Sequence, residues 1–138
     1  MSLEDKIEIH DLCHRYALCI DSYRIDDWVA LFTPDVVFDE REFEFGLHEG
    51  REAVRAYGHV LRETTRHMSH LMSNHLVENI SDGSATGTVT GLVEAMTNDL
   101  VRTRYLVLYQ DEYRKCDGAW KIHRRVLKKT FDPEVLSI

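Results

Sequence analysis

A chain of 138 residues can bury a hydrophobic core, and 43% hydrophobic with 30% charged residues is typical of one globular domain, which we place over residues 1–138. The net charge of −7 disfavours a nucleic-acid-binding surface, and no apolar run approaches the roughly 18 residues of a membrane-spanning helix. The first residues lack the features of a signal peptide, and the three cysteines have no paired spacing. We therefore expect a cytoplasmic protein with reduced thiols, no nucleic-acid partner and no membrane role.

The first predicted element is an amphipathic helix. Its apolar stripe consists of Ile9, Leu12, Cys13, Tyr16, Ala17 and Ile20. Asp21 lies four residues after Ala17 and continues this stripe as a carboxylate, which is unusual on a buried helix face. A second, short helix capped by Asp26 or Asp27 is predicted to carry Trp28, Leu31 and Phe32, before Thr33-Pro34-Asp35 ends it.

The rest of the chain is predicted to be mostly strands. Short strands are expected at 36–39 and 43–45, a turn at 46–50, and a helix from Arg51 to about Thr65. Longer strands follow at about 66–79, 85–96, 103–115 and 120–129, with hairpin signals at Asp82-Gly83 and Asp117-Gly118. Gly87 and Gly91 are consistent with bulges or bends. Helices followed by antiparallel strands predict an α+β fold in which a curved sheet packs on the helices and encloses a pocket.

The first long strand carries the most informative pattern. Because side chains alternate along a strand, Met68, His70, Met72, Asn74 and Leu76 should share one face. A histidine in such an apolar row needs a hydrogen-bond partner, since an unpaired buried polar group costs about 1–3 kcal/mol. His70 is therefore a candidate functional residue, with Met72 and Asn74 as neighbours in the wall of the same pocket.

Several short segments together resemble the SnoaL-like family of the nuclear transport factor 2-like superfamily. They are Arg15-Tyr16, Asp21, Leu31-Phe32-Thr33-Pro34-Asp35, Glu49-Gly50-Arg51-Glu52-Ala53, His70 with Asn74, Asp82-Gly83 with Ala85, and Asp117-Gly118 with Trp120 and Arg124-Arg125. The resemblance covers nearly the whole chain and implies a cone-shaped α+β barrel with a deep pocket. Scytalone dehydratase and hexachlorocyclohexane dehydrochlorinase are similar in placing an aspartate opposite a strand histidine, at the positions of Asp21 and His70. Ring-hydroxylating dioxygenase β subunits share the fold mainly as scaffold, so the resemblance implies architecture more than reaction.

Asp21 and His70 form the leading candidate for catalysis. A carboxylate bonded to one imidazole nitrogen would fix the tautomer and leave the other nitrogen as a base. We expect the two side chains within hydrogen-bonding distance, or one water, of each other. The alternatives are a buried structural pair and a helix-end carboxylate in water.

Four further side chains are expected at the pocket. Tyr16 could stabilise a developing anion or pack in the core. Arg124 shares a strand face with Trp120 by alternation and matches the pocket arginine of the dehydrochlorinase-like pattern, which would place Arg125 outside. The common family pattern has its arginine at Arg125 instead. Trp28 and Tyr105 are predicted to line the wall, where they would bind substrate.

No metal or other cofactor is expected. His10 and His14 have zinc-compatible helical spacing but lie on the polar side, and His67, His70 and His75 do not share one strand face. We predict a cofactor-independent enzyme that abstracts a proton from a small, hydrophobic, cyclic molecule. Elimination is the first expectation and isomerisation or cyclisation the second. The alternative is a non-catalytic ligand-binding or scaffold subunit. Relatives usually assemble, so a homodimer or homotrimer is expected.

Overall fold

The computed structural model describes residues 2–136. The α-helices are α1 (Leu3–Asp21), α2 (Ile25–Val29) and α3 (Arg51–Thr64), and a 3₁₀-helix covers Arg41–Phe43. The strands are β1 (Phe32–Asp39), β2 (Leu47–Glu49), β3 (Thr65–Ser81), β4 (Ser84–Thr97), β5 (Arg102–Cys116), β6 (Ala119–Lys129) and β7 (Glu134–Leu136). No helix within residues 2–136 is long and apolar enough to cross a membrane.

The strands form one curved, unclosed seven-stranded sheet, on which the N-terminal helices pack. The order is β2-β1-β6-β5-β4-β3, and β7 pairs with β5. The α+β class is thus confirmed. The expectation of a wholly antiparallel sheet is wrong at one place, because β1 pairs with β6 in parallel. Most of the chain separates these two strands, and parallel pairing requires such a long connection.

Helix α1 forms where the sequence predicts it. Ser2 and Asp5 make a capping box at its N-terminus, and the apolar stripe is buried from Ile9 to Ile20. The stripe packs against β3 and the rest of the hydrophobic core. This packing brings the last residue of α1, Asp21, against His70 of β3.

The segment between α1 and α3 differs from its prediction. Phe32 begins β1 instead of ending a helix, and Pro34 is accommodated because it lies where the β1–β6 register shifts. The strand predicted at 43–45 is absent from the described structure. A 3₁₀-helix occupies Arg41–Phe43 there, and Glu44 ends it in the left-handed region. The predicted turn at 46–50 contains the short strand β2.

Strand β3 contains a bulge that the alternation pattern does not reveal. Asn74 has a φ of 52°, and the register with β4 shifts between Ser73 and Leu76. The two faces of β3 therefore exchange at this point. Leu76 is exposed, whereas His75 is half-buried and Val77 is buried. The prediction that Asn74 and Leu76 share the face of His70 is wrong for this reason.

Gly87 and Gly91 make room for tyrosine rings of the neighbouring strand. The β4–β5 ladder runs past both glycines without a register shift, so they do not mark bulges in it. A Cβ at Gly91 would lie 2.5 Å from the Tyr109 ring, and one at Gly87 would lie 2.8 Å from the Tyr113 ring. Glycine at these positions leaves space for both rings beside β4, and the Tyr109 ring lines an internal cavity.

Candidate active site

A cavity of about 240 Å³ lies between the helices and the sheet. Most of its wall is apolar and comes from nearly every element of the fold, including Ile20, Phe43, Leu61, Met68, Val93 and Leu127. Its polar wall groups include His70, Glu40 and the phenols of Tyr16, Tyr57 and Tyr105. Such a cavity suits a small apolar ligand that carries a few polar atoms.

Asp21 and His70 meet at this cavity. The Nδ1 atom of His70 lies 2.6 Å from Oδ1 of Asp21, and the backbone N–H of His70 donates to Oδ2 at 2.8 Å. The His70 side chain is 9% exposed and the Asp21 side chain 20% exposed. The predicted contact is therefore present, made by a direct hydrogen bond without a bridging water.

The contact defines which ring nitrogen of His70 carries its proton. An ionised carboxylate only accepts hydrogen bonds, so Nδ1 donates to Asp21 and Nε2 is left with a free lone pair. No group within residues 2–136 is hydrogen-bonded to Nε2. Asp21 ends α1, where the helix dipole disfavours a negative charge and the last turn has no basic residue. The two donors of His70 offset that cost.

Tyr16 lies beside His70, in the floor of the cavity. It is 2% exposed, and its ring packs edge-on to the imidazole with 5.9 Å between centroids. The Arg125 guanidinium lies over the Tyr16 ring at 4.4 Å and over the Tyr109 ring at 4.6 Å. Burial raises the pKa of Tyr16 well above its ordinary value, so the phenol is a neutral hydrogen-bonding group.

The prediction that Arg124 faces the pocket is wrong. Arg124 is 44% exposed and pairs with Glu112 on the outer face, whereas Arg125 is fully buried. Trp120 and Ile122 face inward as predicted, but the β5–β6 register then shifts so that Arg124 pairs with Glu112 two residues beyond Ile122. This bulge at 123 exchanges the faces of β6.

Arg125 does not reach the cavity in place of Arg124. Its Nε and Nη2 atoms donate to the two carboxylate oxygens of Asp111 at 2.8 and 2.7 Å. The rings of Tyr16 and Tyr109 cover the guanidinium on the cavity side. Arg125 thus supports the floor and positions Tyr16.

The remaining predicted binding residues divide into two groups. Trp28 and Tyr105 line the cavity, as expected. Met72 packs against the core without reaching the cavity, and Asn74 is exposed at the β3 bulge. The β3 bulge takes Asn74 off the face of His70, whereas Met72 keeps that face and packs in the core outside the cavity wall.

Glu40 is a cavity residue that sequence reasoning missed. It follows β1 directly and is only 5% exposed. The Tyr57 hydroxyl donates to its Oε2 at 2.5 Å. Burial raises the pKa of Glu40 to about 7, although the Tyr57 bond and the Arg125 charge act in the opposite direction. Its setting in the run Asp39-Glu40-Arg41-Glu42 resembles a charged loop, so no local signal marks it as buried.

A second polar cluster lies between α1 and the sheet, outside the cavity wall. His75 contacts His10 through their Nδ1 atoms at 2.9 Å and Tyr113 through Nε2 at 2.9 Å. Tyr113 in turn donates to Asp111 at 2.6 Å. Burial and the neighbouring His10 lower the pKa of His75 to about 4. Across residues 2–136, no three His, Cys, Asp or Glu side chains are arranged to hold a metal ion.

The fold and this site define a pocket-containing α+β protein of the nuclear transport factor 2-like superfamily. The SnoaL-like domain family matches residues 1–126, and the chain belongs to that family.

Solved structures share this fold. A Novosphingobium aromaticivorans protein provisionally named an aromatic ring hydroxylase is 22% identical with a TM-score of 0.93, covering 99% of this chain and 96% of the other. A second protein of that species, provisionally named a scytalone dehydratase, is 22% identical with a TM-score of 0.88 and coverages of 99% and 90%. A hexachlorocyclohexane dehydrochlorinase from Novosphingobium barchaimii is 18% identical with a TM-score of 0.84 and coverages of 98% and 92%. At these identities, the likeness shows the fold.

Proposed function

We propose that this protein is a lyase that removes a proton from carbon in a small, largely apolar, cyclic substrate, with His70 as the base and Asp21 as its partner. The observation that carries the proposal is the 2.6 Å contact between the two side chains at the wall of an apolar cavity. Neighbours with this fold named as a dehydratase and a dehydrochlorinase support elimination as the reaction.

The chemistry follows from the geometry of the pair. His70 Nε2 takes the proton from a substrate carbon, and the imidazolium that forms is stabilised by the Asp21 carboxylate 2.6 Å from Nδ1. The electron pair released from the C–H bond forms the new double bond as the leaving group departs. Tyr16 supplies a neutral phenol beside the imidazole for the developing negative charge. Isomerisation or cyclisation would begin with the same proton abstraction.

The test uses two cyclic ketones that both yield cyclohexenone, namely β-chlorocyclohexanone and β-hydroxycyclohexanone. The carbonyl of each probe acidifies the neighbouring C–H bond, so imidazole is a strong enough base. We expect the wild-type protein to release cyclohexenone from at least one probe above the uncatalysed rate, measured by ultraviolet absorbance. His70→Ala should lose this turnover. Asp21→Asn should lower kcat/KM by about 10²–10⁴-fold, because the imidazolium loses its counter-charge.

His67→Ala is the matched control, because His67 lies on the same strand and is exposed. It should retain wild-type kcat/KM, and circular dichroism should show that all variants are folded. Full activity in His70→Ala would contradict the proposal. Binding of both ketones without turnover by the wild-type protein would favour the non-catalytic ligand-binding role instead.

A further inference from the structure

We propose that Glu40 is the general acid of the cavity and protonates a departing oxygen, so that the substrate is a cyclic alcohol and the reaction is loss of water. This inference rests on the proposed function, because it assigns the removal of the carbon-bound proton to His70. It adds a second catalytic residue and specifies the chemical class of the leaving group.

Glu40 lies in the wall of the same cavity as His70. The Tyr57 hydroxyl occupies Oε2, and no group within residues 2–136 donates a hydrogen bond to Oε1. When the carboxyl group is protonated, Oε2 acts as the acceptor for Tyr57, so the proton resides on Oε1. Oε1 is then the donor that a substrate oxygen in the cavity can meet.

The surroundings of Glu40 favour the protonated acid. Four phenols line the same cavity as Glu40, those of Tyr16, Tyr57, Tyr105 and Tyr109, and burial raises the pKa of each, so all are neutral at ordinary pH. The nearby cation, Arg125, is already paired bidentately with Asp111 and lies behind two tyrosine rings. Glu40 itself makes no ion pair within the part of the chain that the structure describes. Desolvation is consistent with this state, since it raises the pKa of Glu40 to about 7.

The proposed reaction balances in atoms and charge. The C–H bond breaks as its proton passes to His70 Nε2, and its electron pair forms the carbon–carbon double bond. The C–O bond breaks on the neighbouring carbon, and the departing oxygen takes the Oε1 proton of Glu40, so that water leaves. His70 is then an imidazolium and Glu40 a carboxylate. Transfer of the proton from His70 to Glu40 through solvent restores both groups.

The acid distinguishes an oxygen from a halogen leaving group. Chloride departs as a stable anion and needs no proton, whereas hydroxide is a poor leaving group unless it is protonated as it leaves. A buried, protonated carboxylic acid in the same cavity as a base is therefore the group that dehydration requires. It contributes nothing essential to dehydrohalogenation.

The experiment compares the same two probes in Glu40→Gln and in Glu63→Gln, a control on the exposed end of α3. Gln retains an acceptor for the Tyr57 hydroxyl but cannot donate a carboxylic proton. We expect Glu40→Gln to lower kcat/KM for β-hydroxycyclohexanone by about 10²–10⁴-fold, the range of general acid catalysis, and for β-chlorocyclohexanone by less than about threefold. Glu63→Gln should leave both values unchanged.

The pH profile supplies a readout that a merely structural residue would not move. For the alcohol, kcat/KM should fall as the pH rises through about 7, because Glu40 loses its proton there. Tyr57→Phe removes a hydrogen bond that lowers the pKa of Glu40, so this alkaline limb should shift to higher pH. The pH profile of Tyr57→Phe therefore tests the role of Glu40 even if the Glu40→Gln variant does not fold.

The outcomes separate the two proposals. Turnover of the chloride but not the alcohol by the wild-type protein would overturn the role of Glu40 and leave the His70 proposal intact. Equal losses on both probes in Glu40→Gln would also overturn it, since the residue would then act on binding or on the carbonyl. The role of Glu40 would also be overturned if the alkaline limb of the pH profile does not move in Tyr57→Phe. Turnover of neither probe would overturn both proposals.

Discussion

Arg124 and Arg125 are neighbours in the sequence with opposite environments. Arg124 extends into solvent beside Glu112, while Arg125 is fully buried in a bidentate pair with Asp111. The Tyr16 and Tyr109 rings also cover the Arg125 guanidinium on its cavity side, where they shield its charge from water. A buried charge of this kind depends wholly on its partner, whereas an exposed pair gains little.

Truncation of the two arginines should have very different effects on stability. We expect Arg125→Ala to reduce the free energy of unfolding by about 3–5 kcal/mol, because Asp111 would be left buried and unpaired. Arg124→Ala, the matched control, should cost roughly 0–1 kcal/mol. Urea denaturation followed by fluorescence measures both values. Equal, small losses would mean that Asp111 is solvated or protonated in the folded protein.

Single-residue bulges in β3 and β6 decide which side chains reach the interior. In β3 the exchange of faces occurs at Asn74, and in β6 it occurs at 123. Before each bulge, the predicted alternation gives the correct inward-facing side chains. After the bulge, the side chains predicted to face inward face outward instead. The strand pattern is consequently reliable at His70, which precedes the β3 bulge, and fails at Leu76, which follows it.

The β3 bulge can be tested through the conformation of Asn74, whose φ is 52°. Glycine adopts this left-handed region freely, while a β-branched residue is strained there. Asn74→Gly should therefore change the free energy of unfolding by less than about 0.5 kcal/mol, and Asn74→Val should lower it by roughly 1–2 kcal/mol. Thermal denaturation monitored by circular dichroism provides the comparison. A Val variant as stable as the Gly variant would argue against the bulge.

At the scale of the whole molecule, β3 is a long strand at the edge of the sheet. Leu71 and Leu76 on this strand are 64% and 56% exposed. Long edge strands with exposed apolar side chains tend to be covered by another chain. The homodimer or homotrimer expected from the sequence stays a prediction, and this surface is where we expect the copies to meet.

Light scattering after size-exclusion chromatography tests the assembly. We expect a mass of about two or three times the 16.1 kDa of one chain. Replacing Leu71 and Leu76 together by Arg should shift the particle toward a single chain, because two charges would have to be buried in the interface. A mass near that of one chain for the wild-type protein at micromolar concentration would exclude a stable oligomer.

The pairing of Asp21 with His70 was accessible from the sequence because each residue is set by a local period. Helical spacing places Asp21 at the end of a buried stripe, and strand alternation places His70 in an apolar row. Each needs a polar partner when buried, and the resemblance to the SnoaL-like family, which implies an aspartate opposite a strand histidine, indicated that each is the partner of the other. The family resemblance, based on short segments spread along the chain, supplied the architecture that brings them together.

Tertiary structure alone decided the rest of the candidate site. A bulge adds one residue to a strand and leaves no clear mark in the alternation, so the inward position of Arg125 and the exposure of Asn74 could not be read from spacing. Glu40 is polar in sequence and becomes buried because distant side chains, among them Tyr57 on α3, pack around it. Local periodicity determines which face of an element is apolar, but the burial of a polar group depends on which distant segments cover it.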